Sequence, residues 1–149
     1  MKKKTLTIIR KEDDSTKEPE LLLLYSEILE KMHNEVGQDA KQLLNWILSC
    51  TLPMITKDFE SYPDHRVNFF LFLRSAVKNC FQYLISIEAG QFKTMIDCLI
   101  WSIKHQLSTI YNIGLETILI MLSVRLKEIQ FRCRGDFSSL FVKDKLLNF

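Results

Sequence analysis

Five runs of apolar residues at helical spacing follow one another along this chain, and they restart at a nearly constant stride. The first starts at Pro19, with Leu21, Tyr25, Ile28 and Met32 on one face, Leu22 and Leu29 beside them, and Gly37 as its stop. The second covers about 39–59, with Leu43, Ile47, Cys50 and Met54 on a stripe flanked by Leu44, Leu48 and Ile55. The third restarts at Tyr62-Pro63-Asp64 and reaches about Ile87, apolar on most sides through Phe69, Phe70, Phe72, Leu73, Val77 and Phe81. A helix of that kind needs neighbours on both flanks. A fourth, about 91–108, follows Gly90 with Phe92, Met95, Leu99 and Ile103, and a fifth covers roughly 112–127 with Ile113, Leu115, Ile118, Leu119 and Leu122. Pro19 and Pro63 each stand in a first turn, where a missing N–H costs nothing.

Helix pairs therefore begin near Pro19, Pro63 and Asn112, offsets of 44 and 49 residues. Two antiparallel helices per 40–47 residues or slightly more is the habit of HEAT-type solenoids. The expected fold is all-α, an α-α superhelix of about two full helix pairs plus an unpaired fifth helix. A compact helical bundle fits the same runs if the stride is set aside. Punctuation points the same way: four Gly and three Pro are too few for the tight turns of an all-β chain. Pro53 lies inside the second run and removes the hydrogen bond to the Ser49 carbonyl, so a bend is expected over Ser49–Pro53.

The net charge of +2 conceals an asymmetry. Residues 1–17 hold six bases and three acids, and residues 127–149 five and three; the middle, with nine and twelve, is net −3. A nucleic-acid binder shows the reverse, with bases clustered on a folded face. Cys50, Cys80, Cys98 and Cys133 form no Cys-x-x-Cys pair, so neither a zinc site nor a redox motif is expected. Three of them lie in apolar helical runs, where a buried free thiol in a reduced compartment is the usual outcome. Lys2, Lys3 and Lys4 precede an apolar patch too short for a signal peptide. The longest apolar run, Ile113–Val124, is too short to span a bilayer, so no membrane contact is expected.

Chemistry is hard to find. Cys98 and His105 are seven residues apart on one helix, about 10 Å by helical rise and too far for a nucleophile–base pair. His33, His65 and His105 have no partner at ligand spacing and suit surface or boundary positions. Asp58 and Glu60 end a helix with nothing apolar nearby to raise a pKa. Trp46 and Trp101 sit within apolar stripes with few interleaved bases, which favours packing over a base-stacking platform. The pattern predicts no catalytic residues, no metal and no cofactor. An enzyme built on a helical bundle is the weakest reading for that reason.

One stretch is more specific than its periodicity. Residues Cys50 to Arg66 read Cys-Thr-Leu-Pro-Met-Ile-Thr-Lys-Asp-Phe-Glu-Ser-Tyr-Pro-Asp-His-Arg, followed by Asn68-Phe69-Phe70-Leu71. With Glu18-Pro19-Glu20, Gln91-Phe92-Lys93, Asp97, Ile100-Trp101, Lys104-His105 and Gly114-Leu115, it resembles the C-terminal region of the exportin-1 family of karyopherins over 18–126. The resemblance implies a ring-shaped HEAT-repeat receptor that carries leucine-rich export-signal cargo out of the nucleus with Ran in its GTP form. It also implies contact with nucleoporins, shuttling between nucleus and cytoplasm, and no hydrolysis by the receptor itself. The inner helices, about 39–59 and 91–108, would face the ring interior, making Lys57, Asp58, Lys93 and Lys104 the candidate Ran contacts. A stand-alone helical-repeat interaction module is the alternative.

The match has limits. Pro53 stands where the family pattern has Asn, residues 1–17 match poorly and read as a loose, partly disordered segment, and 127–149 reads as a divergent tail. The resemblance does not extend to the central cargo groove or the N-terminal Ran-gripping repeats of such receptors, so neither is expected from this stretch. With the fifth helix unpartnered, the isolated chain is expected to self-associate.

Overall fold

The computed structural model describes residues 19–36, 39–57 and 61–146. Within them are five helices: α1 (Pro19–Val36), α2 (Ala40–Lys57), α3 (Pro63–Leu84), α4 (Ala89–Ser102) and α5 (Ser108–Leu146). They stack in two layers. α3 packs on α1 at one side and α5 at the other, while α2 lies against α3 and α4 against α5. Asn45 on α2 accepts a hydrogen bond from Gln91 on α4 at 2.6 Å, and farther along Ile55 and Thr56 face Trp101 across a groove. These two inner helices therefore run side by side in the same direction.

The stride read from the sequence is visible in the bonds between units. Asn68 Nδ2 donates to the Pro19 carbonyl, Ser75 to Glu30, Lys41 to the Ser86 carbonyl, and Arg74 to Glu116. With the Asn45–Gln91 pair, these links join residues 42 to 49 apart. A compact bundle has no reason to keep one offset; a repeat does.

Both proline starts hold. Pro19 and Pro63 open α1 and α3, and Tyr62 ahead of Pro63 takes a left-handed conformation (φ 63°, ψ 46°). That conformation crowds a residue bearing a Cβ, at about 1–2 kcal/mol. Its carbonyl still accepts the first helical bond, from the Arg66 N–H at 3.1 Å. α3 is enclosed as expected, burying 12 of its 22 residues.

Several expectations shift. α2 continues as one helix across Pro53, and the residues that leave helical dihedrals are Met32 in α1 and Cys80 in α3. Ser49, Cys50 and Pro53 are exposed, so water has access to this part of the helix and no break is needed to satisfy the carbonyl that the proline leaves without a donor. Cys50 was expected on the buried stripe of α2; the stripe is turned by one residue and buries Thr51 instead. In α1 the buried line is Leu22, Tyr25, Ser26 and Leu29, leaving Met32 exposed.

The largest change is α5. Expected over 112–127, it spans 39 residues, because nothing after Lys127 forbids a helix. No proline follows, and a lone mid-helix glycine such as Gly135 costs only about 1 kcal/mol. Its Ser108–Phe131 stretch, 22% buried, is long and apolar enough to cross a membrane by length and composition. The apolar run legible in the sequence, Ile113–Val124, is shorter because this stretch continues through polar residues on both sides of it. In the fold the same stretch buries Ile110, Ile113, Gly114 and Thr117 and pairs Glu116 with Arg74 at 2.9 Å.

Candidate functional site

The two inner helices frame a groove. Leu52, Pro53, Ile55 and Thr56 of α2 and Thr94, Asp97, Cys98 and Trp101 of α4 form its walls, with Phe70 of α3 as the floor, around about 360 Å³. Trp101 stacks on Phe70 with ring centres 5.8 Å apart and planes at 16°. The lining is apolar apart from two hydroxyls and Asp97, whose carboxylate holds Lys93 Nζ at 2.6 Å. Burial, and then the Asp97 charge, push the Cys98 thiol up to about 11, which keeps it protonated and unreactive at neutral pH. Cys80 in the core is likewise raised to about 11 by burial.

The histidines and one arginine are the surprises. His65 and His105, expected at surface or boundary positions, are both buried. His65 meets Tyr62 edge-on at 5.6 Å. His105 Nδ1 accepts the Leu107 N–H at 3.0 Å, and its ring meets Trp101 edge-on at 4.8 Å. Burial, and then the charge of Arg66, hold its pKa below the ordinary 6.5. Arg66 is 1% exposed and went unremarked in the sequence. Its Nη2 donates to the Ile55 carbonyl at 3.0 Å and the Ser61 carbonyl at 3.2 Å, tying the end of α2 to the turn that follows. The available signal was position: Arg66 falls three and four residues before Phe69 and Phe70, on the stripe that faces the core.

Three of the four candidate contact residues can be placed. Lys57 closes α2 and is exposed. Lys104 is exposed in the turn after α4, where its N–H bonds the Trp101 carbonyl at 3.1 Å. With Ile55 facing Trp101, these two lysines share one end of the inner layer. Lys93, in the first turns of α4 and bonded to Asp97, stands at the other end. Asp58 lies outside the described residues.

Among the described residues no group of three His, Cys, Asp or Glu is arranged to hold a metal, and Cys98 and His105 make no nucleophile–base pair: the thiol faces the groove while the imidazole is bonded in its turn. The fold and these surfaces define a helical-repeat scaffold. The family model described as CRM1 C terminal matches residues 3–144. Exportin 1A of Arabidopsis thaliana is 35% identical over 127 residues, covering 85% of this chain and 12% of that protein. Exportin-1 of Dictyostelium discoideum is 38% identical over 100 residues (67% and 10%), and that of Schizosaccharomyces pombe 36% over 107 (72% and 10%). The chain belongs to the CRM1 C-terminal family, and it spans about a tenth of the length of these relatives.

Proposed function

We propose that this chain supplies a stretch of helical-repeat wall to a nuclear export receptor of the exportin-1 type. In that reading the receptor carries leucine-rich export-signal cargo with Ran-GTP, meets nucleoporins in transit, and shuttles between nucleus and cytoplasm. The observation that carries it is the family match over residues 3–144, laid on a fold whose units are joined at a constant stride. The part played by this chain is contact with Ran through the inner layer. Lys57 and Lys104 are the leading contacts because they are exposed at one end, with Asp58 next to the first; Lys93 is secondary because Asp97 already holds its ammonium group. The cargo groove is not supplied by this segment, so the chain alone should not bind an export-signal peptide.

Titration of isotopically labelled chain with Ran carrying a GTP analogue, beside a GDP control, is the direct test. Nucleotide-dependent shifts confined to the ends of α2 and α4 are expected. Identical spectra with both nucleotides would remove Ran from the reading, and saturable binding of a labelled export-signal peptide would contradict the division of labour.

A further inference from the structure

Two of the buried polar side chains, Arg66 in the first turn of α3 and His105 in the turn before α5, hold backbone groups at one end of the inner layer. Arg66 uses one guanidinium nitrogen to hold a carbonyl on each side of the turn after α2. His105 uses Nδ1 to hold the Leu107 N–H immediately before α5. Trp101 joins the two, edge-on to His105 and stacked on Phe70, one turn along α3 from Arg66.

We propose that Arg66 and His105 are positioning residues, a buried clasp that fixes these two turns against each other and so sets the spacing at which Lys57 and Lys104 meet carboxylates on one partner surface. The proposal rests on the reading that these lysines contact Ran. Lys57 follows the Ile55 carbonyl by two residues, and Lys104 immediately precedes His105, so each ammonium group hangs from a backbone that the clasp holds. A buried guanidinium is costly to desolvate unless hydrogen-bonded, and an apolar side chain of similar volume would fill the site at less cost. What the guanidinium adds is a rigid plane that fixes the directions of both Nη2 N–H bonds, whereas an ammonium group rotates freely on a flexible stem.

The clasp also depends on protonation. Accepting from Leu107 requires a neutral imidazole with its proton on Nε2. A second proton turns Nδ1 into a donor, breaks that bond and places a cation beside Arg66. Ionisable groups on the surrounding elements are His65 and Arg66 of α3, Lys57 of α2, Asp97 and Lys104 of α4 and its turn, and Tyr111 and Glu116 of α5. Arg66 is the one whose charge weighs on His105, adding to burial in holding its pKa below 6.5. The clasp is therefore closed at neutral pH and opens as pH falls through the lowered value.

The test uses the whole chain in a Trp46→Phe background, so that emission reports Trp101, which an adjacent imidazolium quenches. Emission should fall on titration from about pH 8 to about pH 4.5, with a midpoint below 6.5, and Arg66→Met should move that midpoint upward. Binding of Ran carrying a GTP analogue should weaken by about fivefold in Arg66→Lys and in His105→Gln, as in Lys57→Gln with Lys104→Gln, although the first two keep both lysines. Acid should weaken wild-type binding and leave His105→Gln nearly flat. Wild-type affinity in Arg66→Lys and His105→Gln, with the lysine variants weakened, would overturn the positioning role and leave the contact reading standing. Lysine variants that bind like wild type would remove the contact reading, and the positioning role with it. An unmoved Trp101 midpoint in Arg66→Met would show that the two turns are not coupled.

Discussion

α3 and α5 occupy equivalent places in successive units, and both are rich in large apolar residues. α3 has α1, α2 and α5 around it and buries Phe69, Phe70, Phe72, Leu73, Val77 and Phe81. Among the described residues α5 packs on α3 and α4, and leaves Leu115, Leu119, Leu122, Leu126 and Ile129 exposed, with Phe131 at 80%. The difference is one of neighbours, since the sequences are comparably apolar. In a stacked architecture a helix is made a core helix by the unit that follows it.

The comparison can be broken most sharply by truncation. Phe72→Ala in α3 should cost about 3–5 kcal/mol by urea unfolding, while Leu126→Ala in α5 should stay within about 0.5 kcal/mol. Similar costs for the two would mean that the open face of α5 is covered in solution. Next is the seam where α5 is packed. A Cβ built on Gly114 would lie 1.8 Å from Ser102 Oγ and 2.8 Å from its Cβ, so only glycine lets α5 approach α4 this closely. Gly114→Ala should cost about 1–3 kcal/mol, and Ser102→Gly should restore most of it; no recovery would place the strain elsewhere.

Acid should act first at the turn between α4 and α5, where His105 is buried and holds the Leu107 N–H. Because the pKa of folded His105 is lowered, its neutral form contributes stability that is complete above 6.5 and lost as pH falls through the lowered value. The unfolding midpoint should drop over that window in wild type and much less in His105→Gln. A parallel drop in both would assign the effect to other groups. The smallest effect on stability is expected from Leu119→Glu with Leu122→Glu, within about 0.5 kcal/mol, yet these changes should abolish concentration-dependent association in sedimentation. A wild-type monomer at high concentration would show that the face is not adhesive.

Much of this was legible in the chain. The two prolines marked helix starts to the residue, and the stride anticipated the hydrogen bonds between units. The unbroken apolar girth of the third run foretold a helix covered on several sides. What escaped was decided by placement rather than residue type. Arg66 and His65 look like surface residues until their distance from Phe69 and Phe70 puts them on the core-facing stripe. Thr51 displaced Cys50 through a one-residue rotation that apolar counting does not resolve. The length of α5 is not legible in apolar periodicity, because a backbone can stay helical without an apolar stripe to bury. Of the candidate contacts, the sequence offered Lys57, Lys93 and Lys104 as equals; only the parallel course of α2 and α4 sets the first and last together.

The constant reach of the links between units bears on how such a chain finds its fold. Each of the hydrogen bonds named between units closes a loop of 42 to 49 residues, wherever in the chain it lies. Closure entropy grows only logarithmically with loop length, and here the length does not grow with the protein. Adding units on either side leaves every existing loop unchanged, so the mean separation of contacting residues, as a fraction of the chain, falls as the solenoid lengthens. Stopped-flow refolding of this segment within progressively longer pieces of a relative should give a nearly constant rate for ordering α3.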